Sequence, residues 1–285
     1  MTTLDTKTSP SIPPQLKVGM LGCGNMGRAI AEGWLARGAL SADQLLISAR
    51  STAADTAAAL GARAMSPQRL LEEADLIILG FKPQQLTAIR ESLSGLTLSD
   101  AARPRLFVSL LAGLELRAVE QGLALPKELE AEWVRLMPNL PARRSLGATL
   151  AFTESLSAEH RAALCPLLEA MGLCEWLGSE ALFDVGTAIS GCGPAYMFMM
   201  IEALADAGVS MGLPRVTAQR LAAQTMIGSG AMALDEHPGV LKDRVTSPGG
   251  VTIQGLRSLE RSGLRSALIE AVVEAAERSQ AMRDG

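Results

Sequence analysis

The tightest constraint on the fold lies between Lys17 and Gly38. Lys17–Leu21 (KVGML) is a short apolar run, Gly22-Cys23-Gly24-Asn25-Met26-Gly27 follows at once, and RAIAEGWLARG continues with helical spacing. A strand that turns into a helix through three glycines so spaced has few solutions. The first glycine makes the tight turn, the second lets a pyrophosphate approach the backbone, and the third lets the helix lie close on the sheet. Glycine triplets also arise by chance in a chain with 27 glycines. The strand before and the helix after this one make it a dinucleotide-binding turn, built from Gly22, Cys23, Gly24, Asn25, Met26 and Gly27.

The pattern then repeats. Gln44–Ser48, Asp75–Leu79, Leu106–Leu110 and Trp133–Leu136 are further short apolar runs, with helical segments near Thr52–Leu60, Gln84–Leu93 and Glu115–Gly122 between them. Such alternation gives a mostly parallel sheet covered on both faces. Ala148–Phe152 and Leu173–Trp176, around a helix over Ser157–Met171, complete that domain. After Leu177 the sequence reads as helices alone: Glu180–Ser190, Pro194–Ser210, Pro214–Glu236, Thr252–Arg261 and Leu264–Met282. Pro194–Ser210 is apolar nearly all round, which predicts a place in the middle of a bundle, with Met197, Met199 and Met200 as core filler. So much apolar helical surface predicts pairing with a second copy, an obligate homo-oligomer. The expected class is α/β: an N-terminal Rossmann-type, mostly parallel sheet (16–177) with a C-terminal all-helical dimerisation domain (178–285), after a disordered tail (1–15).

Composition removes several functions. With net charge −4 and 3% aromatic residues, the chain lacks both the basic footprint and the stacking residues of a nucleic-acid binder. Cys23, Cys165, Cys174 and Cys192 show no metal-type spacing, and two histidines complete no zinc site, so no metal is expected. The cysteines read as free thiols of a reducing compartment. The opening MTTLDTKTSPSIPPQ has no apolar core for a secretory signal, and one Lys with no Arg disfavours a transit peptide. The most apolar window, Ala195–Leu204, is too short for a membrane span. A soluble, cytoplasmic protein is expected, with no membrane partner.

An NAD site carries Asp or Glu at the end of the second strand, about twenty residues after the glycine turn. Here that place reads Ser48-Ala49-Arg50-Ser51. An arginine between two hydroxyls suits a ribose 2′-phosphate, so NADPH is preferred and NADH remains possible. Gly80-Phe81-Lys82-Pro83 follows the Asp75–Leu79 strand, where ligands of open α/β sheets gather. Lys82 there either faces the nicotinamide side or merely caps a strand end. Met137-Pro138-Asn139 follows a later strand, and Asn139 can both donate to and accept from a cofactor or substrate.

A second feature lies far downstream, in Ser247-Pro248-Gly249-Gly250-Val251-Thr252. The glycines allow the Gly249, Gly250 and Val251 amides to turn toward one point, and the following helix adds its N-terminal dipole. The loop suits a small anion such as a carboxylate, with the Thr252 hydroxyl beside it. Taken alone, it is equally good helix–turn–helix chemistry.

In order along the chain, VGMLGCGNMGRAIAEG, FKP, RLMPNLPA, ISGCGPAYMF, ALADAGVSMGLPR, HPGVLKD, VTSPGGVTIQGLRSLE and GLRSALIEAV resemble the pyrroline-5-carboxylate reductase family. The resemblance covers nearly everything after the tail, and SPGG-x-T before a helix is its most specific part. It implies reduction of the cyclic imine 1-pyrroline-5-carboxylate to L-proline, with NADPH preferred, by a homodimer that often assembles further, commonly into a decamer. It also implies that Ser247, Gly249, Gly250, Val251 and Thr252 hold the substrate carboxylate, with Thr252 nearest the chemistry as a positioning hydroxyl. Gly80, Phe81, Lys82 and Pro83, with Leu110, Leu111 and Ala112, would line the cofactor side, and Glu180 would stand near the substrate. Cys192, Leu140 and Arg244 depart from the family pattern, which leaves side-chain roles around them open. A β-hydroxyacid dehydrogenase would need a catalytic lysine on a long helix after the junction, and Pro194–Ser210 and Pro214–Glu236 contain none. A non-catalytic dinucleotide sensor would have no reason to keep SPGG-x-T. A reductase of a six-membered imine stays open, because one methylene discriminates weakly.

Overall fold

The computed structural model describes residues 11–49, 53–93, 105–126 and 129–284. The chain divides into two compact units, Met1–Gly191 with Arg278–Gly285, and Cys192–Glu277. The sequence alone places the domain boundary at 177/178.

The first unit opens with β1 (Val18–Leu21), α1 (Asn25–Arg37), β2 (Leu45–Ser48), α2 (Ala53–Leu60), β3 (Arg63–Ala64), α3 (Pro67–Glu73), β4 (Leu76–Leu79) and α4 (Leu86–Ser92). It continues with β5 (Arg105–Ser109), α5 (Leu116–Leu123), β6 (Ala131–Met137), β7 (Gly147–Phe152), α6 (Ala158–Met171), β8 (Gly172–Trp176) and α7 (Phe183–Gly186). The strands form one sheet in the order β3-β2-β1-β4-β5-β6-β7-β8. Each of β1, β2, β4 and β5 is buried along its whole length, as parallel strands covered on both faces must be. Alternate residues feed two cores. Val18, Met20, Ile47 and Ile78 pack on one side of the sheet, while Leu21, Leu46, Ile77 and Leu79 pack on the other.

Three local results differ from expectation. β6 and β7 are antiparallel, because a 3-10 turn over Leu140–Arg144 joins them where a parallel neighbour would need a crossover helix. The short pair β3 and α3 has too few apolar residues to announce itself. Part of the expected disordered tail packs: Ile12 is buried, its N–H donates to Ala39 O at 2.9 Å, and Gln44 Nε2 donates to Pro13 O and Leu16 O. A single buried isoleucine and a glutamine 31 residues away hold this segment, so local polarity did not reveal it. Residues 1–10 lie outside the described residues.

The second unit is helical: α8 (Gly193–Ser210), α9 (Arg215–Ala233), α10 (Pro238–Arg244), α11 (Val251–Arg261) and the greater part of α12 (Leu264–Asp284). α8 is not the centre of a bundle within this chain. Its buried residues are Gly193 and Ala205, whereas Phe198, Met199 and Leu204 are more than half exposed. α8 and α9 close on one another through small residues, Gly208 against Ala218. The passage Glu180–Ser210 is also long and apolar enough to cross a membrane by length and composition. It carries Glu180, Asp184, Glu202 and Asp206, and Asp184 is buried in the first unit against Ser279 Oγ and Arg283 Nη1, each at 2.6 Å, from the last turns of α12.

Candidate active site

The glycine elbow of the first unit is built to the expected logic. Gly22 takes φ +83°, and its N–H donates to Ser48 O at 2.7 Å. A Cβ on Gly22 would meet Phe81 N at 2.6 Å, so the β1 and β4 ends approach as closely as backbones can. Gly27 lets α1 settle on β1, where a Cβ would press on Met20 Cε at 3.3 Å. At Gly24 a Cβ would meet nothing within 4 Å, so the space beside this backbone is open. Gly24 is also the N-cap of α1 and supplies no capping side chain, and the first turn of α1 contains no acid. The Asn25 and Met26 amides therefore open a helix N-terminus suited to an anion. Cys23 is a quiet member of this turn: burial pushes its thiol up to about 11, and Sγ lies 4.0 Å from Met20 Sδ.

A cleft of about 520 Å³ opens from the elbow. Of the residues expected at the cofactor, Gly22, Cys23, Gly24, Ser48, Gly80, Phe81 and Lys82 line it, with Pro83 next in sequence. Arg50 and Ser51 lie outside the described residues, and Ala49 lines the cleft just before them. Sequence reading missed Met65 and Ser66 after β3, and Gln85, Ala88 and Ile89 on and before α4. The first two follow a strand of two exposed residues. The others sit on a helix whose cleft side looks like any amphipathic face. Gln85 Oε1 accepts from Lys82 N at 2.9 Å, which fixes the turn that carries Lys82.

The residues after β5 and β6 do not line this cleft. Leu111 is buried in the core, Leu110 is half-buried and Ala112 is exposed. Both polar ends of Asn139 are engaged by backbone: Nδ2 donates to Ser190 O at 2.9 Å and Oδ1 accepts from Ala148 N at 3.0 Å. Glu180 is likewise engaged, accepting from Arg135 Nη1 at 2.7 Å and from Leu116 N at 2.8 Å. α1 is tied to the turn after β6. A Cβ at Gly33 would collide with Ala142 O at 2.6 Å, and Glu32 bridges Arg28 and Arg143 at 2.9 and 2.5 Å.

The second feature belongs to the helical unit. Gly250 N donates to Ser247 O at 3.0 Å, closing a turn in which Gly249 takes φ +70°. A Cβ on Gly250 would strike Ser247 Oγ. The expected nest of three amides is thus modified, because the turn consumes the Gly250 N–H. Gly250 is the N-cap of α11 and brings no side chain, and no acid stands in the first turn. Val251 is 92% exposed and Thr252 is exposed, so this helix start is accessible.

Comparison with known proteins agrees over the length of the chain. Residues 180–282 match the profile described as pyrroline-5-carboxylate reductase dimerisation, and residues 17–113 that of NADP oxidoreductase, coenzyme F420-dependent. Pyrroline-5-carboxylate reductase of Escherichia coli K12 is 38% identical over 272 residues, covering 93% of this chain and 97% of that protein. The enzyme of that name from Methanosarcina acetivorans is 37% identical over 270 residues, with the same coverage. The crystal structure of Plasmodium falciparum pyrroline carboxylate reductase with NADP bound superposes at a TM-score of 0.80 and 30% identity, covering 95% of this chain and 99% of that one. A pyrroline-5-carboxylate reductase from Coxiella burnetii gives 0.81 at 30% identity, covering 94% and 98%. On this likeness, the chain belongs to the pyrroline-5-carboxylate reductase family.

Proposed function

We propose that this protein reduces 1-pyrroline-5-carboxylate to L-proline with NADPH, as a homo-oligomer whose helical unit forms the contact between copies. The observation that carries the cofactor half is the open space at Gly24 in front of the uncapped α1 N-terminus, leading into the cleft. A pyrophosphate there takes the place of a missing cap, and no acid follows on Ser48-Ala49 to repel a 2′-phosphate. Arg50 is assigned to that phosphate. When bound in the cleft, NADPH would supply the hydride that reduces the imine carbon, with one proton taken up at the ring nitrogen.

The protein's work is mostly placement. The Ser247–Thr252 turn holds the substrate carboxylate at the start of α11, and Thr252 orients its hydroxyl to the ring nitrogen. No covalent nucleophile is required, since a protonated imine is already electrophilic. Among the described residues there is no group of three or more His, Cys, Asp or Glu side chains able to hold a metal ion. The four cysteines are free thiols, which suits the cytoplasm. The basic assembly is assigned as a homodimer, with decamers built from dimers.

The deciding experiment is a steady-state assay of five- and six-membered imine carboxylates against NADPH and NADH. Imine-dependent NADPH oxidation that favours the five-membered ring is expected, and no oxidation with either ring would refute the reading. In the same assay Thr252→Ala is expected to lower turnover by about 10- to 1000-fold while NADPH binding persists. Wild-type turnover in that variant would remove Thr252 from the reaction.

A further inference from the structure

The pair Arg135–Glu180 does more than neutralise two charges. Both side chains are almost fully covered, at 7% and 16% exposure, and Arg135 also stacks its guanidinium 4.3 Å above the Phe183 ring centre. Glu180 Oε1 accepts the Leu116 N–H as well. Leu116 is the first residue of α5, whose N-cap Glu115 makes no side-chain bond to the helix. Glu180, 64 residues further on, therefore supplies the missing cap, with the charge sign that a helix N-terminus favours. Arg135 stands in register opposite Ser109, the last residue of β5, and Ser109 Oγ accepts from Leu111 N at 3.3 Å. The segment 110–115 is thus gripped at its entrance by Ser109 and at its exit by Glu180, with Arg135 joining the two. In between, Gly113 takes φ +73° and Ala112 is exposed. The segment leaves the carboxyl end of β5, next to β4, whose own end runs into Gly80–Lys82 of the cleft.

We propose that Glu180 and Arg135 are positioning residues for the hydride step, which fix segment 110–115 beside the strand end that carries Gly80–Lys82, behind the cleft wall and without touching the substrate. The inference rests on the cofactor reading given above. It gives Glu180 a role other than the one resemblance suggests, because its Oε1 is already shared between a guanidinium and a helix amide. Removal of either partner strands a buried charge, and loss of the Glu180 carboxylate also weakens the cap on α5. The two residues therefore act as one unit.

The test carries full-length Arg135→Met, Glu180→Gln and the double variant through the imine assay, with NADPH titrated in the absence of imine and Tm measured alongside. Each single variant is expected to lose about 10-fold in kcat and to keep the imine KM within about 3-fold. NADPH affinity should fall by about 3- to 10-fold in all three, and the double should be no worse than the poorer single. The double should also regain most of the lost Tm, because no lone charge remains buried, while kcat stays low. An imine KM raised about 10-fold by Glu180→Gln but not by Arg135→Met would make Glu180 a substrate ligand and overturn the proposal. Recovery of kcat together with Tm in the double would reduce the pair to fold maintenance and overturn it equally. A wild type that oxidises no NADPH with either imine would refute the proposed function instead, and unchanged NADPH affinity in every variant would then sink the positioning role on its own.

Discussion

The two units solve the burial problem in opposite ways. In the first, a sheet of eight strands separates two cores, and residues such as Phe107, Val108, Leu70 and Trp34 are covered by their own chain. In the second, the well-buried side chains are alanines (Ala205, Ala218, Ala222 and Ala276), while Phe198, Met199, Leu221, Met232 and Ile269 remain exposed. Close helix packing through alanine stabilises little by itself. Each large apolar side chain that another copy covers would add about 1.5–3 kcal/mol. A chain can thus complete its cofactor half alone, yet leave its helical half to be finished by association.

The sharpest way to break this contrast is to charge the helical surface. Phe198→Glu is expected to shift the protein from oligomer to monomer or aggregate, with loss of most activity, read by light scattering and turnover. An unchanged assembly would mean that this face of α8 is not the one a second copy covers. A smaller effect is expected inside the finished unit. In Gly22→Ala the new methyl meets the Phe81 backbone at a residue with φ +83°. Strain of about 1–3 kcal/mol should cost NADPH affinity on the order of 5- to 150-fold, with oligomer size unaltered. A fluorescence titration that matches wild type would show that the elbow is softer than its geometry implies. The smallest effect concerns pH. The hydrogen bond from Arg28, reinforced by Arg143, holds the Glu32 carboxyl below its ordinary 4.5. A lowered native value contributes stability above about pH 4.5 and loses it as pH falls through that native value. Glu32→Gln should therefore lower Tm slightly at pH 7, and the difference should vanish at acid pH. A gap that persists there would assign the effect to packing rather than charge.

The same contrast explains what the sequence made legible. Buried strands are short, largely apolar runs, so β1, β2, β4, β5 and β6 stand out to within a residue or two. β3 is two exposed residues, Arg63 and Ala64, and leaves no pattern. The elbow was readable because each of its glycines answers a local demand of turn, approach or packing. Asn139 and Glu180 were visible as polar residues in suggestive places, but not the backbone groups that engage them, 51 and 64 residues distant. Such partners are chosen by tertiary packing. α8 misled for a related reason: an all-round apolar helix announces burial without saying which molecule provides the cover.

The thiol in the glycine turn has a practical consequence. With its acidity suppressed to about 11, Cys23 is ionised in about one molecule in ten thousand at neutral pH. Alkylating agents and peroxides act mainly on the thiolate, so burial slows their reaction with the sulfur in this turn. An enzyme that handles a strong reductant can thus carry a cysteine in its glycine turn with its reactivity damped by burial.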